Sequence, residues 1–511
     1  MNSANAESRL YQGDCPVIPY FEALSAIPRS SGHERAASDY VAAFARERGY
    51  EAVQDESWNL VIRKPASPGY EDAPTVIVQG HLDMVGEKNE GVAHDFLKDP
   101  IRLRLEGDFM SAEGTTLGGD DGLAVAFAMA LLAAGDAEHP PLEILLTTEE
   151  ETSMKGARKL DPGLLRGRRM INLDSDREGI LYVSSAGGVR AYHTVPVAWA
   201  EGAGVGLPGR LRVSGLAGGH SGDDIVHERA NACELLGRIL DGLRKELPYA
   251  VASVRGGLAS NAIPREAEAC LYVQEVYWDQ AETAVRAWEA RFRTEYAVAD
   301  PQVRVTFEAG ERRVDLSASH AEQETVSAGT GAEAGPRVFS ETSKRALVDS
   351  LLLLPNGVLR MDKAIPGLPR TSTNVGVVAM TADGVRFESA ARSSLRSELD
   401  AVVTRMEALA SALDCAFEAS DYYPGWPYRM DSQLRDIFRD VYLREHGKPM
   451  DVKAVHAGIE CGILADKIPG LDAVSYGPDL YAIHTPDERF SISSVERTWR
   501  YLLQVLRELK V

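Results

Sequence analysis

The stretch TVIVQGHLDMVGE, residues 75–87, begins with a run of apolar and β-branched residues and turns polar at His81. Such a run is typical of a strand buried on both faces of a sheet. LEILLTT (142–148) and MINL (170–173) repeat the pattern, and the apolar segment 123–135 predicts a buried helix between the first two strands. Strands that alternate with helices predict an α/β fold with a mostly parallel sheet.

The same pattern extends to both ends of the chain. A helix is predicted over ERAASDYVAAFARERGY (34–50), and Ser31 and Glu34 would form a capping box at its start. Near the C-terminus, an apolar run at 473–477 and an amphipathic helix at 493–510 repeat the α/β signature. We therefore expect the C-terminal part to complete the first sheet.

The sequence changes character near residue 190. From there it mixes alternating stretches with amphipathic helices, which is typical of an α+β domain. We predict one α/β domain formed by residues 1–190 and 404–511, with an α+β domain of residues 191–403 inserted into it. Within the insert, the Gly-rich stretch 324–335 predicts a surface loop.

Composition and charge narrow the class of protein. The 511 residues are 44% hydrophobic and 26% charged, and 55 basic against 76 acidic side chains give a net charge of −21. That balance argues against binding to nucleic acid or to anionic membranes. We recognise no signal-like segment at the N-terminus and no apolar run of membrane-spanning length. The five cysteines are dispersed without a CxxC pair, which favours a reducing, cytoplasmic location.

Side chains able to bind metal ions follow the predicted strands and flank the apolar helix. In parallel sheets the ligand site lies at the carboxyl ends of the strands. Each candidate also has an ordinary explanation, such as a helix cap, a turn or a core hydrogen bond. The candidate His484 precedes Thr-Pro, where an extended backbone is expected. Together they make a ligand set for two divalent cations: His81, Asp120, Glu151, Asp174 and His484.

The order of the motifs around these residues resembles that of the M20 metallopeptidases. These motifs are H-x-D (81–83), GGDDG (118–122), EEETSMKGA (149–157), NLDSD (172–176) and HTPDER (484–489). Further motifs resemble the aminoacyl-histidine dipeptidase branch, also called Xaa-His, PepD-like or cytosol non-specific dipeptidases: AGGHSGDDI (217–225), RANA (229–232), NAIPREA (261–267), LPNGVLRM (354–361), TSTNVGVV (371–378), ARSS (391–394) and HAGIECG (456–462). The similarity is colinear over nearly the whole chain.

The resemblance implies a fold and a ligand scheme. It implies a dinuclear-metal peptidase domain with a mostly parallel sheet and an inserted α+β lid domain. His81 and Asp174 would bind one metal ion. Glu151 and His484 would bind the other, and Asp120 would bridge the pair. Zn²⁺ suits a set of imidazole and carboxylate ligands, with Mn²⁺ or Co²⁺ as replacements.

The resemblance also assigns roles beside the metal ions. Asp83 would orient the first imidazole, and Glu150 would be the general base. The family's spacing to the following Gly-Ala pair implies that Glu150, among three consecutive acids, takes this role. The chain departs from the family at Ser153, where Gly is usual, and at Asp121, where this branch often has Asn. The family's bend after the bridging acid also predicts a cis peptide bond between Asp120 and Asp121.

The inserted domain is expected to contribute the substrate contacts. By resemblance, His220 in GGHSG would donate to the oxyanion once the domains close. Arg392 and Asn261 are the candidates for binding a substrate carboxylate, and the backbone near Gly458 would line the pocket. Arg265 is the second choice for the carboxylate, or else a structural brace of the lid. The remaining histidines are expected to be structural or exposed.

The expected function is metal-dependent hydrolysis of dipeptides. Xaa-His substrates, including carnosine-type ones, are the favoured class, with broad dipeptide specificity. One alternative is another enzyme of the same type, a deacylase or aminopeptidase acting on other amides. A second alternative, from a different class, is a non-catalytic metal-binding scaffold protein. The expected partner is a small peptide, with no nucleic acid and no membrane, and the sequence leaves open whether the chain forms a homodimer.

Overall fold

The computed structural model describes residues 10–201, 206–310 and 336–510, so the predicted loop at 324–335 lies outside the described residues. The helices of the described residues are, in chain order, Ile18–Ser25 (α1), Arg35–Glu47 (α2), Gly119–Ala133 (α3), Glu150–Ser153 (α4), Lys155–Lys159 (α5), Ala232–Glu246 (α6), Trp278–Glu295 (α7), Glu341–Leu353 (α8), Arg396–Ala412 (α9), Gln433–His446 (α10), Glu460–Lys467 (α11) and Ile492–Glu508 (α12).

The strands of the same residues are, in chain order, Glu51–Gln54 (β1), Leu60–Lys64 (β2), Val76–His81 (β3), Leu103–Glu106 (β4), Phe109–Ala112 (β5), Leu142–Thr147 (β6), Arg169–Asn172 (β7), Ile180–Ser185 (β8), Gly187–Val195 (β9), Trp199–Glu201 (β10), Leu207–Ser214 (β11), Gly219–His220 (β12), Tyr249–Gly256 (β13), Ala262–Ile263 (β14), Ala267–Val273 (β15), Arg304–Ala309 (β16), Arg337–Phe339 (β17), Gly357–Met361 (β18), Pro369–Thr381 (β19), Gly384–Ser393 (β20), Ala416–Tyr423 (β21), Asp451–Val455 (β22), Asp472–Ser475 (β23), Leu480–Tyr481 (β24) and Arg489–Ser491 (β25).

Contacts between these elements group the chain into two compact units. Unit 1 consists of the chain up to Ser185, Trp426–Ala454 and the chain from Ile459 onward. Unit 2 consists of Ala186–Gly425 and Val455–Gly458. The domain ranges expected from the sequence stay a prediction.

Unit 1 is built on an eight-stranded sheet in the order β1-β2-β6-β3-β7-β23-β8-β22. The neighbouring strands β6, β3, β7 and β23 run parallel, whereas β1 and β2 add to this core in antiparallel pairs. Every residue of β3 and β6 is buried, as their largely apolar sequences indicate. The prediction of an α/β fold with a mostly parallel sheet is confirmed.

Helix α3 is the buried helix predicted from the apolar segment 123–135. Every residue from Asp121 to Leu132 is buried, which explains why the segment has no polar face. The helix packs on α1 and on β3. No helix within the described ranges has both the length and the apolar character needed to cross a bilayer.

The predicted capping box at the start of α2 is wrong. The N-cap of this helix is Glu34, and no side chain caps it. The Ser31 hydroxyl donates instead to Asp83 Oδ2 at 2.7 Å. The Glu34 carboxylate accepts the backbone N–H groups of Gly32 and Glu149. Both side chains therefore stabilise loops beyond β3 and β6, and a local pattern does not reveal partners so distant in the chain.

Unit 2 contains a nine-stranded sheet in the order β16-β11-β15-β13-β19-β20-β9-β21, with β18 beside β19. The pairs of this sheet are antiparallel. Helices α6, α7, α8 and α9 pack against it over one continuous apolar core. Helix α6 begins where the Asn231 side chain accepts the N–H groups of Cys233 and Glu234. An antiparallel sheet with packed helices is the α+β architecture predicted for the middle of the chain.

The cysteines form no disulfide bond. All five are free thiols, and Cys15, Cys233 and Cys461 are buried. Their dispersal along the sequence had predicted unpaired thiols, because a disulfide framework brings cysteines together in pairs.

Candidate metal centre and substrate-binding residues

Three of the predicted ligands lie together because their strands are parallel neighbours. His81 is the last residue of β3, Glu151 lies in α4 just beyond β6, and Asp174 follows the end of β7. Strands β6, β3 and β7 are adjacent, and His81 pairs in register with Thr147. Their carboxyl ends therefore form one edge of the unit 1 sheet, which is where parallel sheets bind ligands.

Two groups of potential ligand atoms share Asp120. In the first group, His81 Nε2 lies 3.1 Å from Asp120 Oδ1 and 3.9 Å from Asp174 Oδ1. In the second, His484 Nε2 lies 3.0 Å from Glu151 Oε1 and 3.3 Å from Asp120 Oδ2. Two donors bound tetrahedrally to one ion at about 2.1 Å are about 3.4 Å apart. The spacing in each group therefore suits one divalent ion, and the two oxygens of Asp120 belong to different groups.

Asp121 is a further carboxylate close to the first group. Its ligand atom falls within 4.8 Å of those of His81 and Asp174. However, Asp121 Oδ2 accepts the backbone N–H of His81 at 3.1 Å, and Oδ1 accepts that of Ala124 at 3.3 Å. Both oxygens are engaged by the backbone, so Asp121 anchors the loop. The peptide bond between Asp120 and Asp121 is cis, as predicted.

Asp83 joins the first loop of the centre to helix α4. It is fully buried and accepts the backbone N–H groups of Glu150 at 3.0 Å and Glu151 at 3.2 Å. His81 Nδ1 lies 3.3 Å from Asp83 Oδ1. Burial alone would raise the pKa of Asp83, yet the His81 ring and the Ser31 hydroxyl outweigh it and lower that pKa to about 2. Asp83 is therefore a charged anchor for the loop that carries Glu150.

Glu150 lies beside the ligand atoms and has a raised pKa. One of its oxygens falls within 4.8 Å of the ligand atoms of His81 and Glu151. Burial raises the pKa of Glu150 to about 8, against the opposing effect of the His81 imidazole. A carboxylate that holds a proton near neutral pH suits proton transfer.

Sequence reasoning missed three buried charged residues that lie close to the loops of the candidate ligands: Arg29, Glu460 and Glu488. Glu460 Oε2 accepts from Gln79 Nε2 at 2.7 Å and from Thr147 Oγ1 at 2.6 Å, and burial raises its pKa to about 8. Glu460 and Glu488 stand inside motifs that carry the family resemblance, which was the only available signal. No motif pointed to Arg29.

The centre holds more negative than positive groups. Its carboxyl groups are Asp83, Asp120, Asp121, Glu150, Glu151, Asp174 and Glu460, and its basic groups are His81, His484 and Arg29. Burial and the neighbouring Asp120 raise the pKa of Asp174 well above its usual range. Crowded carboxylates with little water are costly unless cations compensate them. Oxygen and imidazole donors without a thiolate suit Zn²⁺, Mn²⁺ or Co²⁺.

The backbone at His484 differs from the prediction. An extended conformation was expected before Thr-Pro, but φ is 62° at His484 and 53° at Ala482. The Thr485 hydroxyl donates to the Ala482 carbonyl at 2.7 Å and closes a tight turn. Residues other than glycine rarely adopt the left-handed region, and those that do are enriched at functional sites. This turn directs the imidazole towards Glu151.

The predicted substrate residues all lie in unit 2. His220 is in β12, which pairs with β14, and the Asn261 carbonyl accepts the Ser221 N–H at 2.8 Å. His220 Nδ1 accepts the N–H groups of Gly222 and Asp223, both at 3.3 Å. Asp223 Oδ2 also lies 3.3 Å from Nδ1, so this nitrogen faces a carboxylate as well as two backbone N–H groups. All of these contacts are made by Nδ1, which leaves Nε2 for a substrate.

Arg392 is a nearly buried cation without an acidic partner. Its side chain is 9% exposed, and Nη1 donates to the Tyr423 hydroxyl at 2.9 Å. Its buried Nε has no hydrogen-bond partner among the described residues. No carboxylate of the described residues lies within 4.0 Å of the Arg392 guanidinium. A Cβ at Gly458 would lie 2.6 Å from the Tyr423 ring. Any residue other than glycine at position 458 would therefore displace the Tyr423 ring.

Two other polar residues of unit 2 have structural contacts. Arg265 Nε donates to the Leu216 carbonyl at 3.2 Å, which fits the alternative of a brace. His456, expected to be structural, is buried and forms a 2.7 Å hydrogen bond with Ser372 Oγ. Burial and the neighbouring Arg392 lower the pKa of His456 to about 4. His456 therefore adds no positive charge beside Arg392 at neutral pH.

Known proteins resemble this chain in sequence and in fold. The chain is 34% identical over 495 residues to the cytosol non-specific dipeptidase of Escherichia coli (strain K12), which covers 97% of each protein. The structure of aminoacylhistidine dipeptidase from Vibrio alginolyticus is 34% identical with a TM-score of 0.89 and covers 96% of each chain. Aminopeptidase PepT from Bacillus cereus ATCC 10987 shares the fold at 13% identity, with a TM-score of 0.53 over 97% of this chain and 98% of its own.

The match to a family model spans most of the chain. Residues 77–508 match the model described as Peptidase family M20/M25/M40. This range includes all five potential ligands and the inserted α+β part, and the resemblance to M20 metallopeptidases is confirmed. The chain therefore belongs to peptidase family M20/M25/M40.

Proposed function

We propose that this protein is a metal-dependent dipeptidase that cleaves Xaa-His and other dipeptides. The observation that carries the proposal is the position of Asp120, whose two oxygens lie 3.1 Å from His81 Nε2 and 3.3 Å from His484 Nε2. A carboxylate between two imidazoles suits a pair of divalent ions. Similarity to the dipeptidase of Escherichia coli over 97% of the chain supports small peptides as substrates.

The five ligands divide into two sites in this proposal. His81 and Asp174 would hold one ion, Glu151 and His484 would hold the other, and Asp120 would contribute one oxygen to each. When bound, the two ions supply Lewis-acid activation of a water molecule and of the peptide carbonyl. Zn²⁺ is our first choice for this donor set, and Mn²⁺ or Co²⁺ are the replacements.

Glu150 moves the proton in this mechanism. Its carboxylate accepts a proton from the attacking water and returns it to the nitrogen of the leaving amine. Asp83 supports this role because it accepts the N–H groups of Glu150 and Glu151 at 3.0 and 3.2 Å. These bonds orient the start of α4, from which both side chains extend.

His220 stabilises the oxyanion that forms during attack. In this proposal the ring donates through Nε2–H, since Nδ1 faces the backbone N–H groups of Gly222 and Asp223 and the Asp223 carboxylate. An N–H donor held in place by the protein favours the charged transition state over the neutral substrate. Asn261 is assigned to the same substrate because its backbone bonds to the residue after His220.

Arg392 binds the free carboxylate of the dipeptide in this proposal. Its guanidinium is nearly buried and lacks an acidic partner among the described residues. His220 and, after it, Arg392 lower the pKa of the nearby Asp223 carboxyl, but Arg392 forms no ion pair with it. A bound carboxylate would therefore offset the cost of burying the guanidinium. Gly458 lines the same pocket through its backbone, where a side chain would displace Tyr423.

The cell compartment and the oligomeric state belong to the proposal as well. Five free thiols are typical of a reducing compartment, so we propose a cytoplasmic location. Whether the chain forms a homodimer stays a prediction. Light scattering on the purified protein measures this directly.

Turnover of a substrate panel with and without a chelator tests the function. We expect hydrolysis of Xaa-His and other dipeptides to stop when a chelator removes the metal ions, and to return on addition of Zn²⁺, Mn²⁺ or Co²⁺. Faster hydrolysis of N-acyl amino acids than of any dipeptide would favour the deacylase alternative. Metal binding without turnover of any amide would favour the non-catalytic scaffold.

Replacing Arg392 with methionine is expected to lower kcat/KM for dipeptides by about 10- to 100-fold, since hydrogen bonds to charged groups contribute roughly 1.5–3 kcal/mol. Dipeptides whose carboxyl group is capped as an amide should lose much less, because they bring no charge to pair with the guanidinium. Steady-state kinetics on the two substrate forms measure the difference.

Arg265→Met is the control for the Arg392 variant. Its guanidinium bonds to a backbone carbonyl of the same unit, at Leu216. It should lower the melting temperature without distinguishing free from capped dipeptides. If Arg265→Met and not Arg392→Met discriminates between the two forms, the carboxylate partner is Arg265.

A further inference from the structure

Arg29 links two of the loops that carry candidate ligands. It is 2% exposed. Its Nη1 donates to the carbonyls of Leu82 at 3.0 Å and Asp83 at 2.9 Å, and its Nη2 donates to the carbonyl of Gly118. One side chain thus joins the loop after His81 to the loop before Asp120.

Glu488 links a third loop to the same place. Glu488 directly precedes β25 and follows His484 closely in the sequence. Its side chain is 2% exposed. Glu488 Oε2 accepts the N–H groups of Leu117 at 2.8 Å and Gly118 at 3.0 Å. Oε1 accepts those of Gly119 at 2.7 Å and Asp120 at 3.3 Å.

The glycines of the GGDDG motif make room for these two side chains. A Cβ at Gly118 would lie 2.5 Å from Arg29 Nη2, and a Cβ at Gly122 would lie 2.4 Å from the same atom. A Cβ at Gly119 would lie 3.2 Å from Leu480 Cδ2 and 3.3 Å from Glu488 Oε1. Gly118 also has a φ of 71°, which favours glycine. The motif is therefore explained by close approach of Arg29 and Glu488 to the backbone.

The two side chains bind opposite kinds of backbone group in the same loop. Arg29 satisfies its carbonyl oxygens, whereas Glu488 satisfies its N–H groups, so the loop is held by charge-assisted bonds on both sides. Such bonds are strong in a buried site because water does not compete for them. A displacement of a few tenths of an ångström is enough to spoil a metal site, since ligand distances vary by only about 0.2 Å.

We propose that Arg29 and Glu488 are positioning residues that fix the spacing of the three loops carrying metal ligands, and thereby set the affinity of the centre for its metal ions. This inference rests on the proposed function, because it assumes that those loops bind metal. Neither side chain touches the reacting atoms. Both act through the backbone that carries the ligands.

Unit 1 offers a matched control for each residue. Glu143 is a carboxylate that is also 2% exposed, and it accepts the N–H groups of Arg166 and Gly167. Arg435 is a nearly buried arginine that donates to the carbonyls of Arg429 and Met430. Both controls lie in unit 1 and form hydrogen bonds to backbone groups, as Arg29 and Glu488 do. The backbone groups that they bind are not in a loop that carries a proposed metal ligand.

The test measures the affinity of the full-length protein for Zn²⁺ alone, by competition with a chromophoric chelator. We expect Glu488→Gln and Arg29→Met to weaken Zn²⁺ binding on the order of 10- to 100-fold, as is typical for residues that support metal ligands. Arg29→Lys should weaken it less, because lysine keeps the charge but reaches fewer carbonyls. Glu143→Gln and Arg435→Met should lower the melting temperature and leave the affinity for Zn²⁺ unchanged.

The outcomes separate positioning from general stability. Wild-type affinity in Glu488→Gln, or equal losses in Glu488→Gln and Glu143→Gln, overturns the inference. If Glu488→Gln fails to fold, the Zn²⁺ affinity of Gly119→Ala is measured instead. The added Cβ would contact Glu488 Oε1 and should weaken Zn²⁺ binding severalfold. Unchanged binding in Gly119→Ala overturns the inference. A wild-type protein that binds fewer than two Zn²⁺ ions overturns the proposed function itself, which distinguishes the two failures.

Discussion

Replacing Glu150 with glutamine is expected to lower kcat by about a thousandfold, while the protein still binds two metal ions. The amide keeps the size of the side chain but does not accept a proton from water, and general acid–base groups contribute about 10²–10⁴ to the rate. None of the five proposed ligands changes in this variant. Steady-state kinetics on a dipeptide and elemental analysis of the same preparation measure both quantities.

Glu149→Gln is the matched control for this variant. Glu149 directly precedes Glu150, but its carboxylate pairs with Lys155. Among the described residues it belongs to no group of potential ligand atoms. We expect near wild-type turnover and metal content. A Glu150→Gln variant with near-normal kcat would contradict the base assignment, and a large loss in Glu149→Gln instead would move the base by one residue.

Replacing Asp120 with alanine is expected to remove both metal ions and to abolish turnover. One oxygen of this carboxylate lies 3.1 Å from His81 Nε2 and the other 3.3 Å from His484 Nε2. Without it, each ion would keep two protein ligands, fewer than the three that catalytic zinc sites typically use. Elemental analysis after dialysis should show less than about one equivalent of metal, where about two are expected in the wild type.

Asp121→Asn is the control that distinguishes the neighbouring acids. Both oxygens of Asp121 accept backbone N–H groups, and asparagine keeps one oxygen to do so. We therefore expect this variant to retain two ions. Two equivalents of metal in Asp120→Ala would show that the bridge is misplaced, and a simultaneous loss in Asp121→Asn would assign it to Asp121.

Local sequence patterns predicted much of the unit 1 fold. The runs at 75–80, 142–148 and 170–173 correspond to β3, β6 and β7. They are recognisable because a strand buried on both faces carries no polar side. Parallel order then brings the ends of these strands to one edge. For this reason the positions of His81 and Asp174 were predictable before any distance was known.

The roles of the individual acids depended on the family resemblance. Three consecutive acids, Glu149, Glu150 and Glu151, are equivalent as a local pattern, and each is a good residue for a helix N-terminus. The structure distinguishes them by their partners. Glu149 bonds to Lys155, and Glu151 lies near His484. Glu150 lies between these two in the chain and beside His81 in space.

The errors and omissions concern side chains that bond to distant backbone. Ser31 and Glu34 matched a capping pattern, yet their hydrogen bonds stabilise other loops. Arg29 and Glu488 bond to backbone groups near residue 118, which are about 90 and 370 residues away in the chain. A side chain whose partners are backbone groups leaves no periodic or compositional signal in the sequence.

The amino-acid sequence by itself determined which segments become the buried strands and helix, and which acids and imidazoles stand at their ends, because burial dictates residue type along a segment. Only the tertiary structure decided how Asp120 divides its two oxygens, which nitrogen of His220 faces its own loop, and that Arg29 and Glu488 hold the loop between them. These contacts join residues far apart in the chain, and their geometry arises only when the strands are assembled into the sheet.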